Sequence, residues 1–224
     1  MRIAVVGAGL IGAAAARHLA KAGHDVTLIG PDEPADKRAH HGVFASHYDE
    51  GRITRRLDPA EFWSRVSRDS IDRYAGIEAE RGAAIRSTAA VQAAAGFEAR
   101  TLRAAELARH FPYFAFPDDT LALHEMGGAG HISPRRLALA QRTVAVRAGA
   151  RHVAAEAQGI DETAGRVRIA TGAGAVEADR VLVATGGFTD ALLPGALPLS
   201  VYARTVARFE VDEGEAARLD GMPA

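Results

Sequence analysis

The first thirty residues alternate regularly. RIAVVG is a short β-branched apolar run, LIGAAAARHLAKAG carries small and apolar residues at helical spacing up to Gly23, and HDVTLIG is a second apolar run. Two parallel strands joined by a helix must cross over right-handedly, which predicts a βαβ unit. From Pro31 to Leu57 no apolar period of 2 or 3.6 is sustained, and a loop of that length in a compact domain is usually functional or disordered. Regular structure is expected to resume with Asp58 as cap, Pro59 at the first helical position and Glu61 in capping-box register. The predicted helix runs from about Pro59 to Arg81, with Trp63, Val66, Tyr74 and Ile77 on one face and Gly82 as its stop.

Further along, AIRSTAAVQA reads as a strand, TLRAAELARHFP as a short helix ended by Pro112, and TLALHE as another strand. In GGAGHISPRRLALAQRTVAVRAGA, Ser133 caps a helix, Pro134 begins it and Gly149 closes it. RHVAAEA, RVRIAT and AVEAD are short strands separated by Gly-containing turns, the grammar of an antiparallel meander. RVLVATGGF follows as a buried strand ending in a Gly pair, and YARTVARFEV alternates as a half-exposed strand would.

Composition narrows the partners. The chain has 224 residues, 48% hydrophobic and 25% charged, enough for one large domain or two small ones. A formal net charge of -1 offers no broad field for nucleic acid or an anionic membrane, so a small-molecule partner is expected. Cysteine is absent, which removes disulfides, thiolate zinc sites, a thiol nucleophile and a cysteine-linked cofactor from this stretch and fits a reducing, cytoplasmic compartment. IAVVGAGLIGAAAA is too short to span a bilayer.

Gly7, Gly9 and Gly12 form G-x-G-x-x-G between the first strand and the first helix. In that context the first glycine permits the tight turn, the second lets a pyrophosphate approach the backbone, and the third lets helix and strand pack closely. The helix N-terminus then offers free N–H groups and its positive dipole end to the phosphates. The ribose carboxylate that this fingerprint expects at the end of the second strand is replaced by Gly30, leaving Asp32 as the candidate beside binding through backbone and water. The fingerprint alone does not choose between a nicotinamide and a flavin dinucleotide. A nicotinamide domain would repeat βαβ units, whereas here a polar loop, a long helix, a strand-rich insertion and a meander follow.

Two other readings of the polar loop fail. Ser46, His47 and Asp49 hold the residue types of a hydrolytic triad, yet near neighbours on one loop do not align nucleophile, base and orienter. His40, His41 and His47 match no familiar metal-site spacing.

Four stretches carry a family resemblance: Gly7 to Gly12, SHYDEGRITR from Ser46, HISPRRL from His131 and VLVATGGFTDALLP from Val181. In order and spacing the chain resembles the FAD-dependent amine and amino-acid oxidases of the D-amino-acid oxidase superfamily, particularly the monomeric sarcosine oxidase branch. The resemblance implies an α/β fold: a Rossmann-like FAD-binding domain with a parallel sheet and antiparallel meander (residues 1–85 and 131–198), plus an incomplete α+β substrate domain (86–130 and 199–224). It implies FAD, held non-covalently, with Gly7, Gly9, Gly12, Asp32, Ser46, His47, Arg52, Ala157 and Gly186 at the cofactor. Ala157 stands where the family more often has Val near the adenine, and Gly187 and Phe188 stand where it more often has Ala and Trp.

The resemblance assigns catalysis to Arg52, close to the flavin ring, and to Arg55, opposite a substrate carboxylate. A guanidinium offers a planar fork matched to a carboxylate, and positive charge stabilises an anionic reduced flavin. Arg56 and Arg38 are read as solvated. The implied activity is oxidation of the C–N bond of a small carboxylate-bearing amine or amino acid to an imine, with oxygen or another acceptor taking the electrons. Relatives of this kind continue well beyond YARTVARFEV, so a missing C-terminal half is expected, leaving an open sheet edge. A non-catalytic dinucleotide-binding remnant and a nicotinamide-dependent dehydrogenase remain the alternatives.

Overall fold

The computed structural model describes residues 1–48, 51–83, 99–127, 129–202, 207, 209–220 and 222. The strand expected in AIRSTAAVQA, half of YARTVARFEV, and Asp49 lie outside them. Chain order is β1 (Arg2–Val6), α1 (Leu10–Lys21), β2 (Asp25–Ile29), β3 (Arg52–Thr54), α2 (Glu61–Ile71), α3 (Tyr74–Arg81), β4 (Ala99–Arg103), α4 (Ala104–His110), β5 (Leu121–Glu125), β6 (Gly130–Ile132) and α5 (Pro134–Arg147). After these come β7 (Arg151–Val153), β8 (Ala157–Thr163), β9 (Arg166–Thr171), β10 (Gly174–Ala178), β11 (Arg180–Val183), a 3-10 turn at Gly186–Phe188, α6 (Thr189–Leu192) and α7 (Glu213–Arg218). No described helix is long and apolar enough to cross a membrane. The contacts divide the chain into two units: Met1–Gly51, Ala75–Ile85 and Ser133–Tyr202 in the first, and Arg52–Tyr74, Arg86–Ile132 and Ala203–Ala224 in the second.

The first unit is built on a parallel sheet of order β11-β1-β2-β7. Alternation sends successive side chains of β1 to opposite faces. Ile3 and Val5 pack with Ala16, Ala20 and Ala145 of the helical layer, whereas Ala4 and Val6 pack with Val167, Ile169 and Val176 of the meander. The small residues of α1 and α5 let the helices sit close to the sheet. The meander has order β10-β9-β8, antiparallel throughout, with a register shift between Ala157 and Gly159. Helix α5 begins as its sequence specifies: Ser133 Oγ accepts from the Arg136 N–H at 3.2 Å, Pro134 occupies the first turn, and Gly149 closes with φ +100°.

Two expectations for this unit change. The RHV segment is not a meander strand; it is β7, paired in parallel with β2 through Thr27 and Arg151. Strand β11 is an edge strand with alternating exposure rather than a buried one, because β1 covers only one of its sides.

In the second unit β3 pairs antiparallel with β6, setting Arg52 opposite Ile132, and β4 pairs antiparallel with β5. TLR, expected as the start of a helix, is the end of strand β4, so α4 is confined to Ala104–His110. Leu102, Leu107 and Phe111 form a small core. The long helix expected from Pro59 to Arg81 is two helices. The first starts at Glu61 with no side-chain cap, because Asp58 bonds the Ala60 N–H in a local turn (3.0 Å). The first helix ends before residues 72 and 73; Trp63 and Val66 on it are exposed, whereas Tyr74 and Ile77 beyond the break are buried.

Candidate functional site: a glycine cradle and an arginine groove

In the first unit the cradle forms at the carboxyl ends of β1, β2 and β11, where open α/β sheets bind ligands. The Gly7 N–H donates to the Ile29 carbonyl (2.8 Å) and the Ala184 N–H to the Val6 carbonyl (2.7 Å), which ties the three strand ends together. Gly7 has φ +109°, and a Cβ there would lie 2.3 Å from the Ala184 carbonyl oxygen. A Cβ on Gly12 would lie 1.7 Å from the Gly7 carbonyl oxygen, so the third glycine sets how closely α1 meets the strand. On Gly9 the nearest atoms to a Cβ would be Ala45 Cβ and His47 Nδ1, both at 4.0 Å. The protein therefore leaves room at Gly9, beside an α1 N-terminus with no side-chain cap and no acidic residue in its first turn. Open space, unblocked N–H groups and a positive dipole end fit a pyrophosphate.

Aromatic contacts occur in the segments next to Ala45 and Gly186. Phe44 meets Phe188 edge to face with ring centroids 5.2 Å apart, and His47 meets Tyr48 likewise at 5.0 Å. Gly186 is left-handed (φ +55°) with nothing near its Cβ position. The turn is braced by the Thr189 hydroxyl, which donates to the Gly186 carbonyl (2.8 Å). The structure thus gathers Gly7, Gly9, Gly12 and His47 around one strand end, with Gly186 on the turn that follows Ala184. Ser46 is exposed on the same loop. Ala157 is half-buried at the start of β8, packed against the core beneath the sheet. The Phe44–Phe188 pair carries no sequence signal, because its members lie far apart in the chain.

Gly30 explains the missing carboxylate. A Cβ there would sit 2.6 Å from the Ala8 backbone nitrogen and 2.7 Å from Ala8 Cβ, so the glycine loop leaves no space for a side chain. The acidic residues that follow are held by α5. Asp32 pairs with Arg142 at 2.6 Å and its side chain is 61% exposed; Glu33 pairs with Arg135 at 2.9 Å and Lys37 at 2.6 Å. Partial burial works against ionisation of Glu33, yet the hydrogen bonds from Lys37 and Arg135 prevail and lower its pKa.

His152 completes this end of β2, its Nε2 lying 3.0 Å from the Gly30 carbonyl oxygen. Burial first, then the positive charge of Arg142, hold its pKa below the ordinary 6.5, against the opposing pull of the Gly30 bond and Asp32. An unfolded chain then takes up this proton before the folded one does as pH falls. The stability contributed by neutral His152 is present above pH 6.5 and is lost as pH drops below it toward the folded value. His152→Gln is therefore expected to flatten the fall of Tm with acidification below pH 6.5, with thermal melts across a pH series as the check. An unchanged slope would refute it.

In the second unit Arg55 lines a groove of about 470 Å³ with Ile53, Thr54, Trp63, Ser67 and Tyr74. Its Nε donates to the Leu57 carbonyl (2.9 Å), its Nη2 lies 3.8 Å from Asp58, and the side chain is 55% exposed. Arg52 stands exposed at the start of β3 and shares the alternation phase of Thr54, which is buried and bonded to the Tyr74 hydroxyl at 3.1 Å. Arg55 lies just past the end of β3, so its direction is set by the turn that follows and not by the strand's alternation. Arg56, read from sequence as solvated, is only 6% exposed and pairs with Asp72 at 2.9 Å. Its burial depends on residues distant in the chain, so no local signal marks it.

The family model described as DAO, FAD dependent oxidoreductase, matches residues 2–223. The chain belongs to this family. DAO-family membership favours FAD over a nicotinamide dinucleotide in the cradle. Solved structures share the fold. NikD, described as an unusual amino acid oxidase essential for nikkomycin biosynthesis, is 21% identical with a TM-score of 0.63, over 85% of this chain and 52% of that one. Glycine oxidase from Geobacillus kaustophilus is 20% identical (TM-score 0.64; 85% and 57%), and L-proline dehydrogenase from P. horikoshii is 19% identical (TM-score 0.64; 85% and 54%). The chain therefore spans a little over half the length of these DAO-fold proteins. No curated protein matches its sequence.

Proposed function

We propose that the whole protein is a cytoplasmic FAD-dependent oxidase or dehydrogenase of small carboxylate-bearing amines or amino acids, with its FAD held non-covalently. FAD, when bound, supplies a two-electron acceptor for hydride. The hydride comes from the carbon next to the amine nitrogen, the N–H proton is released, and water hydrolyses the resulting imine; oxygen or another acceptor takes up the electrons. The observation that carries this reading is the glycine cradle in a chain of this family, combined with an exposed guanidinium at the R-I-x-R position.

In this reading Gly7, Gly9 and Gly12 receive the pyrophosphate, and His47, Ser46 and Gly186 contact the cofactor. Asp32 and Ala157 serve its adenosine end. Arg52 stabilises negative charge on the reduced ring system, and Arg55 fixes the substrate by its carboxylate, so binding and orientation do most of the catalytic work. Residues 1–85 and 131–198 form the FAD-binding domain and 86–130 and 199–224 part of the substrate domain.

Removing a charge-assisted, two-pronged contact costs about 2 kcal/mol, so Arg55→Ala is expected to raise KM about thirtyfold for an amine bearing a carboxylate. The same change should barely affect an amine without one. Steady-state kinetics on the FAD-loaded protein with matched amines check this. An equal effect on both amines, or stronger thermal stabilisation by a nicotinamide dinucleotide than by FAD, would contradict the proposal.

A further inference from the structure

The turn that presents Arg55 is clamped from behind. The Arg56 N–H donates to both carboxylate oxygens of Glu125 (3.1 and 2.9 Å) and the Leu57 N–H donates to Glu125 Oε2 (2.9 Å). The Ser64 hydroxyl donates to the Arg56 carbonyl at 2.6 Å, and the Arg56 guanidinium, inward and buried, is held by Asp72. Glu125 is the last residue of β5 and lies 69 positions from Arg56. Two neighbouring N–H groups aimed at one carboxylate fix the backbone on the C-terminal side of Arg55, and Leu57, held through its N–H, offers its carbonyl to Arg55 Nε. A carboxylate takes such bonds about twice as strongly as a neutral acceptor.

We infer that Glu125 is the positioning residue for Arg55: its carboxylate sets the 55–57 turn so that the guanidinium enters the groove already oriented for a ligand carboxylate. The inference rests on the role proposed above for Arg55. Preorganisation of this kind lowers the ordering cost of binding. Arg56, Ser64 and Asp72 support the same turn without reaching the groove themselves.

The test is a double-mutant cycle on the FAD-loaded chain, with acetate as the probe and the arginine Nε–H signals followed by NMR during titration. Glu125→Gln is expected to raise the acetate Kd about fivefold, and to add nothing in an Arg55→Ala background. Amide exchange at residues 56 and 57 should rise with Glu125→Gln while β1 stays protected. Equal effects of Glu125→Gln with and without Arg55, or no effect in either background, would overturn the positioning role alone. An Arg55→Ala chain that binds acetate as the parent does would overturn both this inference and the role of Arg55. If Glu125→Gln does not fold, Ser64→Ala loosens the same turn by one hydrogen bond and is read in the same cycle.

Discussion

Gly12→Ala is expected to destabilise the chain before any cofactor is added, whereas Gly9→Ala will cost the free protein much less and weaken FAD binding. The two glycines belong to one motif, yet the structure separates their reasons. The Gly12 methyl would fall 1.7 Å from a backbone carbonyl oxygen, an overlap that no rotamer change relieves, so α1 must move off β1. Such overpacking costs about 3 kcal/mol, or a Tm lower by roughly 6–12 °C in a chain of this size. At Gly9 the nearest atoms are 4.0 Å away, and alanine at this cap position costs only about 1 kcal/mol. The methyl would instead occupy the approach to the α1 N-terminus, and the FAD Kd should rise at least about tenfold. Denaturation of the free chain followed by flavin-fluorescence titration separates the two effects. Parental FAD affinity in Gly9→Ala would sink the assignment of Gly9 to the pyrophosphate.

The second large effect concerns an apparent repair. Gly30→Glu restores the residue type that a dinucleotide fingerprint expects at the end of the second strand, yet it is expected to destabilise the protein by about 2–3 kcal/mol without tightening FAD binding. The new Cβ would meet the Ala8 backbone nitrogen at 2.6 Å as well as Ala8 Cβ at 2.7 Å. Ala8→Gly removes only the second contact, so the double variant should recover little. Full recovery of Tm in the double variant, or a lower FAD Kd in Gly30→Glu, would show that the strand end tolerates a side chain and that the steric account is wrong.

Local chemistry is what the chain states openly. The βαβ unit, the Ser133–Pro134 start of α5 and the hairpins of β8, β9 and β10 depend on residues within a few positions of one another, and periodicity and caps report them. Where a partner lies far along the chain, local reading fails. RHV reads as part of the meander because nothing nearby says that its backbone bonds go to β2, more than a hundred positions away. The expected helix from Pro59 to Arg81 is continuous by pattern and broken in the fold, at an Asp72 side chain that Arg56 takes up. Arg56 itself has the same sequence surroundings as a solvated arginine.

The sequence by itself determined the fold class, the glycine fingerprint and the R-I-x-R pair, because each rests on backbone geometry and short spacing that few other arrangements satisfy. It also showed that the ribose carboxylate is missing. Only the tertiary structure decided why: Ala8 fills the space that a side chain at position 30 would need. It likewise decided which arginine faces the groove and which is buried, since Glu125 and Asp72 reach the 55–57 turn from other elements and turn two adjacent, chemically identical side chains to opposite uses.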